Sequence, residues 1–142
     1  MPAVVLEREG SGYGEQTLLV KRPGRRATVV DRGGSGEEND QELTTPSFAG
    51  PYLYWGFANH GPYVRTKRSY VFRRRLATGA ETGTRLTPYV TSVSADPGRP
   101  GAPLVLTTDD ALDSPEDVRG EQEVRVLDQP SWRRVPRREL VY

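Results

Sequence analysis

Glycine and proline interrupt this chain so often that long helices have little room to form. The 15 glycines and 12 prolines make up about a fifth of its 142 residues, and they separate short runs rich in β-branched and aromatic side chains. Short strands joined by turns are expected, and a helical bundle is disfavoured. The length suits one domain, residues 1–142, and an apolar content of 35% points to abundant loops around a modest core.

The strand signals fall into an ordered pattern. "AVVLER" (3–8), "QTLLVKR" (16–22) and "ATVVD" (27–31) read as a meander with a turn at "RPGRR". The glycine-rich polar stretch 32–42 reads as a linker. "TTPSF" (44–48) reads as a short edge strand, because Pro46 cannot donate to a ladder. "YLYWGF" (52–57) and "SYVFRRRL" (69–76) read as long strands flanking a loop over 58–68. Alternation puts Tyr70, Phe72, Arg74 and Leu76 on one face of the second of these, and Val71, Arg73 and Arg75 on the other. After the turn "ATGAETG" (77–83), "TRLTPYV" (84–90) returns. A third copy follows in "TSVSAD" (91–96), "PLVLTTD" (103–109), "QEVRVLD" (122–128) and "WRRVP" (132–136). Blade-like repeats of about 1–36, 43–90 and 91–142 result, with turn glycines Gly24 and Gly79 spaced 55 residues apart.

The stretch 44–87, above all Leu76-Ala77-Thr78-Gly79 before its final strand, resembles one repeat of a TolB-like β-propeller, a WD40-like family. Ser47-Phe48-Ala49-Gly50 stands where that repeat carries a "SPDG" turn, and departs from it. The resemblance implies an all-β fold of antiparallel meander sheets, about three blades of a partial propeller. A small β-sandwich or barrel is the alternative. Propellers close with about four to eight blades, so a second copy or a longer parent chain would complete the ring. The family resemblance also implies protein–protein recognition through loops at one end of the blades.

Charge and motifs narrow the chemistry. The chain has no cysteine, which excludes disulfides and thiolate metal sites. No apolar run reaches the length of a signal peptide core or a membrane span, so a cytoplasmic, membrane-free protein is expected. The net charge of +1 hides zones: residues 52–90 hold seven Lys/Arg and one Asp/Glu, while residues 91–131 hold three and nine. The excess of arginine, 18 against two lysines, reads as genome bias before it reads as function.

His60, the single histidine, has no second histidine for a metal pair and no nucleophile motif to serve. The glycine-rich stretches lack the lysine and helix of a phosphate-binding loop. Asp109, Asp110, Asp113, Glu116 and Asp117 offer oxygen ligands for calcium in the loop 109–117, although Ala111 breaks the EF-hand spacing. No complete catalytic set, cofactor motif or metal-ligand set is present. The expected function is a non-catalytic, propeller-like binding module with a protein partner. Its candidate binding loop holds Asn59, His60, Tyr63, Arg65, Lys67 and Arg68. One alternative is nucleic-acid binding through the basic and aromatic cluster 63–75, with Tyr52, Tyr54, Trp55 and Tyr70 near it in sequence. A fragment of a larger propeller enzyme, with its catalytic residues elsewhere, is the other.

Overall fold

A computed structural model describes residues 3–8, 15–34, 40–44, 46–60, 68–86, 89–94, 103–108, 122–127 and 132–135. Every element among them is a strand, and every pairing is antiparallel. No helix among the described residues is long and apolar enough to cross a membrane. β1 (Ala3–Arg8), β2 (Glu15–Lys21) and β3 (Thr28–Gly34) form a first sheet in chain order. The central sheet runs β4 (Asp40–Leu43), β6 (Tyr52–His60), β7 (Arg68–Arg75), β8 (Glu81–Leu86), with β5 (Ser47–Ala49) also beside β6. β9 (Tyr89–Ser94), β10 (Leu104–Thr108) and β11 (Gln122–Val126) form a third meander. The sheets stay open, so the barrel alternative does not hold.

The central sheet is buried on both faces. On one, Leu53, Trp55, Phe57, Tyr70 and Phe72 pack with Leu18, Val20 and Val30 of the first sheet. On the other, Tyr54 and Val71 pack with Val93 and Val105 of the third. Strict alternation along β6 and β7 divides these residues as expected for a pleated strand. Residues 53–58 are buried without a break, the pattern of a strand covered on both sides. Each large side chain buried here contributes roughly 1.5–3 kcal/mol. Phe72 is the hub of one face, with ring centres 5.6 Å from Trp55 and 5.7 Å from Tyr70, both stacked.

A bulge joins the first sheet to this core. The β2–β3 register shifts between Leu18 and Leu19, leaving Val30 as the extra residue between Asp31 and Val29. The irregularity turns two consecutive residues inward, and Val30 and Asp31 are both buried. Asp31 Oδ2 thereby accepts a 2.8 Å hydrogen bond from Trp55 Nε1, while Oδ1 accepts one of 2.8 Å from the Arg32 amide. A buried carboxylate held by two donors is a satisfied one.

Several sequence boundaries are corrected. The expected linker 32–42 is strand at both ends, because Gln16 and Glu15 pair with Gly33 and Gly34, and β4 pairs with β6. Gln16 Oε1 accepts the Leu43 amide at 2.7 Å, fixing β4 to the first sheet. The edge strand expected at 44–48 is broken at Thr44, whose Oγ1 accepts the Gly56 amide at 2.7 Å and whose own amide donates to Gly56 O at 2.9 Å. Pro46 sits in that break, where no ladder donor is needed. The expected turn 77–83 is shorter, because Glu81, Thr82 and Gly83 already pair with β7 in β8, and Tyr89 and Val90 belong to β9. The segment 132–135 does not extend the third sheet. It docks on the outer edge of β8, where Gly83 and Arg133 exchange two backbone hydrogen bonds of 2.7 and 2.9 Å.

Candidate functional site

Two turns at the same end of adjacent sheets frame the candidate site. In Arg22-Pro23-Gly24-Arg25 the fixed φ of proline is followed by a glycine at φ +70°, and the Arg25 amide donates to Arg22 O at 3.1 Å. That is a type II turn, whose third residue needs positive φ. The turn between β7 and β8 also holds a left-handed glycine, Gly79 at φ +73°. Its amide donates to Arg75 O at 2.8 Å, and the Ala80 amide donates to Thr78 Oγ1 at 3.2 Å. Lys21 Nζ donates to Arg25 O, and Arg22 Nη2 reaches across to Leu76 O, so the first sheet's turn is tied to the second.

Between these turns lies a groove of about 240 Å³. Val20, Val30 and Leu76 give it an apolar floor, and Arg22, Arg25, Arg26 and Arg74 surround it. Among the described residues none that lines it is acidic. Arg22 and Arg74 are half-buried and Arg25 and Arg26 exposed, so the charge spans from the floor to the rim. Arg74 enters from β7 because alternation places it on the face of Tyr70 and Phe72. Four permanently charged guanidinium groups beside apolar surface form a site for an anion.

The opposite face of β7 carries a second cationic cluster. The Arg73 guanidinium lies 4.7 Å from the Tyr52 ring centre and 4.6 Å from that of Trp132, while its Nε donates to Thr82 Oγ1 at 3.1 Å. Arg75 approaches Tyr52 from farther away, at 5.8 Å. Beneath them Tyr54 is fully buried, and its hydroxyl lies beside the Arg73 guanidinium without a well-aligned hydrogen bond. Burial pushes the Tyr54 phenol above its ordinary range, and the nearby Arg73 guanidinium offsets part of that rise. This cluster is a clamp that holds the segment 132–135 through Trp132.

The expected binding loop is changed by the structure. Asn59 and His60 are the last residues of β6, not a loop tip, because β4 extends the pairing as far as Asp40 opposite His60. Arg68 is the first residue of β7, opposite Asn59. Tyr63, Arg65 and Lys67 lie outside the described residues, as does the acidic loop 109–117. The basic cluster 63–75 is divided at β7, with Arg73 and Arg74 on opposite faces. Tyr54, Trp55 and Tyr70 are core residues, closed to stacking on a base. Among the described residues no group of His, Asp or Glu could hold a metal ion.

Sequence reasoning read "RPGRR" only as a turn and missed the groove. Gly24 and Gly79 held the signal, since both turns need a left-handed glycine and both line the groove or flank it. No protein-family model, curated protein or solved structure matches the chain. The chemistry of the groove therefore carries the functional reading.

Proposed function

We propose that this chain is a non-catalytic recognition module that engages an anionic group of a partner in the groove between its two corresponding turns. The observation that carries this reading is the convergence of Arg22, Arg25, Arg26 and Arg74 on one groove, with no acidic residue among its described lining. Like charges gathered in one groove oppose folding, and an anion that binds only the folded state relieves that cost. The position supports the reading as well, since the site stands at turns carried by a rigid sheet stack. The resemblance to a TolB-like propeller repeat fits this assignment. Three stacked meanders are what a section of such a propeller would contain, completed by a second copy or a parent chain.

Nucleic-acid binding is the weaker reading, because Tyr54, Trp55 and Tyr70 are buried and closed to stacking on bases. Amide NMR at constant ionic strength tests the proposal, with sulfate, phosphate and acetate as the added anions. Shifts are expected to gather at residues 22–28 and 74–79 and to be absent from 52–58. Shifts spread evenly over the surface, or none at millimolar anion, would overturn it.

A further inference from the structure

We infer that the groove is built for a terminal, dianionic phosphoryl group. This rests on the reading of the groove as an anion site and names the anion. Donor supply is the first argument. Each guanidinium offers about five N–H donors in a rigid fork, whereas a carboxylate has only two oxygens to receive them. Three terminal phosphoryl oxygens carrying up to two negative charges match several forks at once.

Size is the second argument. At about 240 Å³ the groove falls below the range of roughly 300–1,000 Å³ that encloses a whole drug-sized ligand. It admits a headgroup and leaves the rest of the ligand outside, next to the exposed Arg25 and Arg26. Architecture is the third. Arg22, Arg25 and Arg26 come from the first sheet's turn and Arg74 from the central sheet, so a multidentate anion bridges two sheets. Arg22 is already oriented by its bond to Leu76 O, and an oriented fork loses less freedom on binding.

The charge requirement gives the inference a signature in pH. Among the described residues every ionisable lining side chain is an arginine, contributed by β7 and the β2–β3 turn, with Glu81 opposite Arg74 in the β7–β8 ladder and Lys21 bonded to Arg25 O. A guanidinium group does not lose its proton in the physiological range. A phosphate monoester, with a second pKa of about 6, loses a charge across that range.

Inorganic phosphate, sulfate and acetate titrated into the intact chain, followed by amide NMR at constant ionic strength, test this. Phosphate and sulfate should bind alike at pH 7.5, and both more tightly than acetate. At pH 5 inorganic phosphate has become monoanionic and should weaken by at least tenfold, while sulfate is unchanged. Arg25→Ala and Arg26→Ala, both at exposed positions, should each weaken phosphate by about tenfold without lowering the melting temperature. Acetate binding as tightly as phosphate, or phosphate binding that ignores pH, overturns the phosphoryl assignment and leaves the anion site standing. Silence toward all three anions overturns both. The source of the phosphoryl group is read from a phosphoserine peptide and a nucleoside monophosphate, and binding of either supports the assignment. An oligonucleotide without terminal phosphate that binds as tightly as both overturns it.

Discussion

Tyr54 carries a buried hydroxyl that makes no well-aligned hydrogen bond, although the Arg73 guanidinium lies beside it. An unpaired buried hydroxyl costs about 1–3 kcal/mol. Tyr54→Phe is therefore expected to leave stability at pH 7 unchanged or raise it by about 1 kcal/mol, measured by denaturant unfolding. The pH dependence follows from the direction of the shift. The unfolded phenol titrates near pH 10 and the folded one above it, so the folded state holds the proton more tightly. Stability present below pH 10 is lost as pH rises through the folded value, and Tyr54→Phe should lose less over that interval. Gly83 has the opposite constraint. A Cβ there would stand 2.7 Å from Phe72 Cδ1 and 3.1 Å from Val135 Cγ2, so Gly83→Ala should cost about 1–3 kcal/mol, read as a lower melting temperature.

At the scale of elements, two devices decide how the strands meet. The bulge in β3 turns Asp31 toward Trp55, and Asp31→Ala would leave the indole N–H unpaired in the core. The expected loss is about 2–3 kcal/mol. In a double-mutant cycle, Trp55→Phe should cost less in the Asp31→Ala background than alone, since the shared bond is already gone. Equal costs in both backgrounds would show that the bond does not couple the sheets. The turn glycines are the other device. Nothing lies within 4 Å of a Cβ placed on Gly24, so Gly24→Ala tests the backbone alone. Its φ of +70° predicts a cost of about 1–2 kcal/mol by thermal unfolding, with no change in core packing.

At the scale of the molecule, the central sheet holds the stack together because, of the three sheets, it alone contributes to both apolar clusters. Phe72→Ala should cost about 3–5 kcal/mol, a large share of the stability of a domain this size. With both outer sheets packed on the same strands, near- and far-ultraviolet circular dichroism should lose signal in one coincident transition. Separate transitions would mean that an outer sheet unfolds by itself. The segment 132–135 ties the end of the described chain back to this hub. Trp132 packs on one face and Val135 on the other, on either side of the bridge at Gly83.

How much was legible in the sequence follows from the range of the forces involved. Strand identity, the alternation of Tyr70, Phe72 and Arg74 against Val71 and Arg73, and the left-handed glycines of both turns depend on neighbours in the chain, and the sequence determined them. The aromatic run at 52–57 announced a core strand for the same reason. Pairing partners act across the sheet, so the extension of β6 to His60 waited on β4, and the place of Trp132 waited on the open edge of β8. The inward turn of Asp31 came from a one-residue register slip that no local propensity encodes. The groove is the clearest case. Arg22, Arg25 and Arg26 stand about 50 residues from Arg74 in the chain, and only the face-to-face packing of two sheets makes their separate charges one site.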